Sequence, residues 1–213
     1  MIIAIDGPAA CGKGTLGKRV AAHYGLAHLD TGTLYRAVAR ETLARGADPA
    51  DAGAAASVAR TLDPASLADP GLRAQRLGET ASVVARHPEV REALLAYQRS
   101  FSRQKPGAVL DGRDIGTVIC PDADVKLFVT ATPEERARRR FRELTQTGSP
   151  VTEAEIFDDI RRRDERDANR ATAPLVRAED AVLLDTTNLD IDAAFRAAIE
   201  LIDAALAHAG QAV

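Results

Sequence analysis

The sequence predicts an α/β fold, a doubly wound parallel five-stranded sheet with helices on both faces. Three observations predict it. The chain begins with a short apolar, β-branched run that leads into a glycine-rich turn and then a helical pattern. Four further short apolar runs are bounded by Gly, Pro or Asp. Helical patterns lie between them, and strand–helix–strand alternation is the signature of a parallel sheet. The 213 residues, 46% hydrophobic and 28% charged, suit one globular domain with a substantial core.

The elements follow in order. Residues 2–6 (IIAID) form a strand buried on both faces, since the run does not alternate. In "KGTLGKRVAAHYG", Leu16, Val20 and Tyr24 share one helical face and Gly25 is the stop. Residues 26–30 (LAHLD) are a second strand, and "TLYRAVARETLARG" is a helix ending at Gly46. The remaining strands are 108–111, 125–129 and 181–185, with Asp residues near ends where open parallel sheets bind ligands. Between the second and third strands, 46–70 is expected to be weakly structured, followed by short helices at 71–86 and 88–103, Pro88 opening the second. This insert exceeds an ordinary connection and is a candidate substrate arm. Capping boxes at Thr132–Glu135 and Thr152–Glu155 open two helices, with "TQTGSP" (145–150) as the turn of a hairpin able to act as a lid. The last helix, 191–208, is amphipathic packing, and there is no internal repeat.

Composition narrows the function. A net charge of −3, few aromatics and no Trp give no basis for a nucleic-acid partner. Cys11 and Cys120 are far apart and not spaced for metal, and Cys11 lies in the glycine loop, so a reducing compartment is expected. No stretch approaches ~18 consecutive apolar residues, which removes a membrane span. The first strand leaves no room for a signal peptide, so the expectation is a cytoplasmic protein.

The chemistry starts at "GPAACGKGT", residues 7–15. A phosphate-binding loop needs backbone amides aimed at one point, which a glycine-permitted turn at a helix N-terminus supplies. Gly7 and Gly12 allow the turn, Lys13 is a cation for the β- and γ-phosphates, and Thr15 brings the hydroxyl for magnesium. That hydroxyl usually follows the Lys directly; here Gly14 intervenes. Asp111, ending the strand AVLD, is the candidate second magnesium ligand. The chain has 24 arginines and four lysines, yet 134–170 balances ten Arg with ten Asp and Glu. For Arg136 to Arg142 a solvated face laced with ion pairs is as good a reading as a functional one. "RDERDANR" differs, because Arg163, Arg166, Asp167 and Arg170 fall on one face of a single helix. Three guanidiniums around one carboxylate grip phosphate oxygens and still orient a sugar hydroxyl. An acceptor that is itself a phosphate needs no general base, and His23, His28, His87 and His208 lie in no motif.

"GPAACGKGTL", with its displaced threonine, resembles the P-loop NTPase-like nucleoside monophosphate kinases. "IDGPAACGKGT", "LDTGTLYR", "DGRDIGT" and "RDERDANRATAPL", in that order, resemble the bacterial cytidylate (CMP/dCMP) kinase family over nearly the whole chain. The resemblance implies phosphoryl transfer from ATP to CMP or dCMP with Mg²⁺, in a single domain spanning 1–213. Its core would be 1–35, 104–140 and 171–213, with a nucleoside monophosphate arm at 36–103 and a lid region at 141–170. Gly7, Pro8, Ala9, Ala10, Cys11, Gly12, Lys13, Gly14 and Thr15 would hold ATP. Thr31, standing where Ser is expected, and Arg36 would meet the acceptor phosphate; Arg113 and Arg170 would flank it and the transferred group. Lys13, Arg113 and Arg170 are thereby the catalytic candidates. Asp114, Ser82 and Arg91 would read the cytosine edge, and Arg163 and Asp167 the ribose. Residues 57–80 lack the alternation of the small extra sheet that long-insert relatives carry, so a trimmed arm is expected. The expected partners are small molecules only, with no nucleic acid or membrane, and the chain is expected to be a monomer. The alternatives are a kinase of AMP, UMP or a shikimate-like acceptor, and a non-catalytic nucleotide-sensing switch, for which the chain lacks a guanine-reading N-K-x-D.

Overall fold

A computed structural model describes residues 1–146, 148 and 150–211. Five strands form one sheet in the order β2-β3-β1-β4-β5: β1 (Ile2–Asp6), β2 (Ala27–Asp30), β3 (Ala108–Gly112), β4 (Val125–Thr130) and β5 (Val182–Asp185). Every neighbouring pair is parallel. The chain moves outward from β1 on one side and then returns to the other, so its carboxyl edge carries a switch point where ligands bind.

Side chains alternate across the strands and divide the core in two. On one face Ile3, Ile5 and Val109 pack against Leu16 and Val20 of α1 (Lys13–Tyr24) and Ile202 of α8 (Ile191–Gln211). On the other, Ala4 and Leu110 meet α2 (Thr31–Ala44), α3 (Ala52–Arg60), α4 (Gln75–Val84) and α5 (Pro88–Ser102). Both clusters are drawn from β-branched strands and helix stripes, as a doubly wound fold requires. A third, around Ala137, Leu144, Ile156 and Ile160, joins α6 (Pro133–Gln146) to α7 (Glu153–Ala168) and includes Ala10 of the glycine loop.

Several sequence expectations need correction. The segment 46–70 is not weakly structured: it contains α3, capped by Asp51 accepting from the Ala54 amide, and a 3₁₀ turn at Pro64–Ala68. Ala55, Ala56, Val58 and Ala59 of α3 are buried, and that burial decides the helix. The helix expected at 71–86 is α4, preceded by a second 3₁₀ turn at Pro70–Arg73. Between β2 and β3 the described residues form only helices and turns, with no extra sheet. Pro88 does open α5 at its first turn. The Thr152–Glu155 box is complete, while at Thr132 the hydroxyl accepts from the Glu135 amide at 3.3 Å. Thr147 and Ser149 of the expected hairpin turn lie outside the described residues.

Candidate active site

The loop after β1 is shaped by close approach. Gly7 has φ +154°, and a Cβ there would lie 1.9 Å from the Val129 carbonyl oxygen of β4. Ala10 sits in the left-handed region at φ 59°, and Gly12, at φ 92°, caps α1 without any side-chain hydrogen bond. The first amides of α1 therefore have neither helical nor side-chain acceptors, the state in which a helix N-terminus binds an anion. Lys13 folds back onto this loop, its buried Nζ donating to the Pro8 carbonyl at 2.8 Å, with Cys11 Sγ 3.8 Å away. Burial lowers the Lys13 pKa, and the charge of Arg113 adds to the effect. The Cys11 carbonyl accepts from Thr186 Oγ1 at 3.3 Å, and the Ala9 carbonyl from Arg136 at 3.1 Å. Arg136 is not a solvated-face arginine. It is buried and also makes two bonds to Asp164, at 3.1 and 2.6 Å, tying α7 to the loop.

A cleft of about 510 Å³ opens beside the loop, lined by residues that include Lys13, Gly14, Thr15, Arg36, Asp111, Arg113 and Arg163. Asp30 and Asp111 end adjacent strands in register and face it. Burial raises the Asp111 pKa, and nearby Asp30 raises it further. His28 Nε2 bonds Asp111 Oδ1 at 2.8 Å, a pairing the sequence reading missed because it treated all four histidines as outside the chemistry. Among the described residues no group of three or more His, Cys, Asp or Glu forms a metal cage.

Opposite the loop the arginines gather. Asp167 is buried, and Arg113 Nε donates to it at 2.8 Å. Burial opposes its ionisation, but the Arg113, Arg163 and Arg170 guanidiniums outweigh this and hold its carboxyl below the usual range. Arg163 pays for the crowding: burial, then Arg113, lowers its pKa from the ordinary guanidinium value to about 9. Gly78 of α4 lies beside it, the position of a Cβ there being 3.5 Å from Arg163 Nη1, an ordinary contact distance. Arg170 does not lie on the helical face expected for it, because α7 ends at Ala168 with Asn169 as its cap. It is nonetheless buried beside Asp167, its pKa lowered by burial. Arg36 Nε, Arg163 Nε, and Arg170 Nε and Nη2 are buried without hydrogen-bond partners.

The remaining expected residues form a second group. Arg91 and Asp114 make a buried ion pair, with the Arg91 Cζ 5.6 Å from the Tyr35 ring centroid. Ser82 Oγ is buried and has no partner. Thr31 is buried too, but its hydroxyl donates to the Asp111 carbonyl at 2.8 Å and pins α2 to β3. Sequence reasoning missed Asp6, whose carboxylate accepts from the Ile115 and Gly116 amides at 2.8 and 2.7 Å. Burial, the largest influence, raises the Asp6 pKa to about 6.

A family model described as cytidylate kinase matches residues 3–204. The chain belongs to the cytidylate kinase family. It is 62% identical over 204 residues to a cytidylate kinase of Rhodopseudomonas palustris (strain TIE-1), covering 96% of both chains. It is 58% identical over 212 residues to a cytidylate kinase of Nitrobacter winogradskyi, covering 100% of both. Among solved structures, an uncharacterized protein from Eubacterium ventriosum aligns with TM-score 0.57 at 13% identity, over 95% of this chain and 98% of that one. That likeness concerns the fold alone.

Proposed function

We propose that this chain transfers the γ-phosphoryl group of ATP to the phosphate of CMP or dCMP, giving ADP and CDP or dCDP. The observation that carries the proposal is a shared cleft: two half-buried arginines, Arg36 and Arg163, whose Nε atoms are buried without hydrogen-bond partners, line the same space as Lys13 and the loop. Unpaired buried donors are costly unless a ligand completes them, and phosphate oxygens are suitable acceptors. Residues 7–15 would cradle the donor phosphates; Arg36, Arg113, Arg163 and Arg170 would take the acceptor phosphate and the transferring group. Because the transition state spreads charge over phosphoryl oxygens, fixed cations and exclusion of water are the main requirements. Lys13, Arg113 and Arg170 act there. Lys13 would exchange the Pro8 carbonyl for phosphate.

Magnesium fits this donor set. Mg²⁺ retains water and bridges phosphates, so it needs a hydroxyl and one or two carboxylates, not an all-protein cage. Thr15 and Asp111, with Asp30 adjacent, would hold it; when bound it neutralises phosphate charge.

Cytosine presents an amino donor beside the N3 and O2 acceptors. Asp114 would accept from the amino group, Arg91 and Ser82 would face the acceptors, and uracil would set a carbonyl against the Asp114 carboxylate. Arg163 and Asp167 reach the ribose. The arm (36–103) and lid (141–170) would close over both nucleotides and position them in line. Two buried free cysteines support a reducing, cytoplasmic setting, and among the described residues no helix is long and apolar enough to cross a membrane.

A panel of ribo- and deoxynucleoside monophosphates assayed with ATP tests the proposal. CMP or dCMP should give the best turnover; preference for AMP would overturn the roles of Asp114 and Arg91. Arg170→Ala should lower kcat by roughly 10²–10³ if it acts on developing charge, and a change confined to KM would assign it to ground-state binding.

A further inference from the structure

We propose that Asp6 is a positioning residue of the acceptor site. Through the turn Ile115–Ile119 it fixes Asp114 and Arg113, and so sets the choice and affinity of the acceptor while leaving donor binding in place. The inference rests on the reading of Asp114 and Arg91 as the cytosine-facing pair.

Asp6 touches neither nucleotide in the mechanism above, yet it is only 5% exposed and each of its oxygens accepts a backbone amide. Those amides belong to Ile115 and Gly116, the first two residues of a single π-type turn. The leading amides of a helical turn have no internal partner, and the charge of Asp6 also favours that end. The turn is closely packed at Gly116, where a Cβ would lie 3.0 Å from Lys126 Cδ and 3.4 Å from Asp6 Oδ2. The far end of the turn is held as well. Arg99 of α5 donates to the Val118 and Ile119 carbonyls at 3.0 and 3.1 Å.

Two residues immediately before this turn carry the acceptor chemistry, and they are drawn in opposite directions. Asp114 pairs with Arg91 on α5, while Arg113 reaches Asp167 on α7. Asp6 anchors the segment from the core sheet, one residue before Gly7. It therefore fixes the base-reading carboxylate relative to the donor loop. In Asp6→Asn one oxygen still accepts, but the new amide group points N–H at N–H. The turn must shift, carrying Asp114 with it.

The test compares Asp6→Asn, Arg99→Gln, Asp114→Asn and the double variant Asp6→Asn/Asp114→Asn, with CMP and UMP as acceptors and ATP binding measured separately at equilibrium. Asp6→Asn should raise the KM for CMP by about tenfold and shrink the preference for CMP over UMP by a similar factor, with the ATP Kd changing less than about twofold. Arg99→Gln should move the same preference in the same direction by less. Because the residues act in one unit, the double variant should be little worse than Asp114→Asn alone. Equal effects on CMP and UMP, or an ATP Kd that moves as far as the CMP KM, would overturn the proposal. Should Asp6→Asn not fold, an unchanged CMP preference in folded Arg99→Gln would overturn it instead. If Asp114→Asn itself leaves the preference unchanged, the base-reading assignment is the part that fails.

Discussion

Replacing Arg163 by Met should make the ligand-free protein more stable and a poorer kinase. Arg163 stands among Arg113, Arg36 and Arg166, and its counter-charge, Asp167, already accepts from Arg113. Burial and this crowding lower its pKa from the ordinary guanidinium value to about 9. At ~1.4 kcal/mol per pH unit, that shift corresponds to about 5 kcal/mol against the charged form. The side chain is only half-buried, so solvent screening cuts the net penalty to about 2 kcal/mol. Methionine retains the hydrocarbon packing and removes the charge, while Asp167 keeps Arg113 and Arg170 as neighbours. Some packing is lost in the exchange, leaving a gain of about 1 kcal/mol and a Tm rise of about 2–4 °C for a chain of this size. With CMP and ATP present the order should reverse, because the natural protein gains a phosphate contact that the variant lacks. Thermal unfolding with and without nucleotides, alongside steady-state kinetics, checks both halves. A lower Tm for ligand-free Arg163→Met would show that the arginines are a structural ion-pair network, and the anion-site reasoning would fail.

Ser82→Ala should leave the ligand-free Tm within about 1 °C, since the buried hydroxyl has no partner to lose; the KM for CMP should rise roughly fivefold, and an unchanged KM would remove Ser82 from the site. Gly7→Ala should weaken ATP binding by more than about tenfold, because the new Cβ meets the Val129 carbonyl 1.9 Å away and the loop must move; unaltered ATP affinity by calorimetry would contradict this. Finally, burial raises Asp6 from 3.8 to about 6. The folded protein keeps that proton up to about pH 6 while the unfolded chain releases it near 3.8, so this group's contribution to unfolding free energy falls by about 3 kcal/mol as pH rises between those values. Denaturant titrations from about pH 4 to 7 should show that fall in the natural protein and lose it in Asp6→Asn; parallel profiles would refute the assignment.

The donor half of the site was legible in the sequence because its parts are local. Gly7, Gly12, Lys13 and Thr15 lie within nine residues, between an apolar strand and a helix, and short-range backbone geometry alone brings them together. The sheet was legible for a related reason: strands buried on both faces are apolar without interruption, as residues 2–5 of β1 are. α3 escaped notice because Pro49, Gly53 and Pro64 punctuate its surroundings. Alanine's helix propensity and burial against α2 and α5 outweigh those signals. Arg170 was placed on a helical face by spacing, but α7 stops at Ala168 and the chain turns before reaching it.

The sequence by itself determined the parallel sheet, the phosphate loop and the kinds of side chain that serve phosphoryl transfer. Tertiary structure alone decided which of the arginines stand together, and which are spent on structure. Arg113 meets Asp167 across 54 residues, Asp6 meets Gly116 across 110, and Arg136 meets Ala9 across 127. Whether a guanidinium ends as a buried strut or an unsatisfied donor depends on which carboxylates and carbonyls the fold brings within about 3 Å. Hydrogen bonding acts at that range, and no spacing along the chain encodes it for partners so far apart.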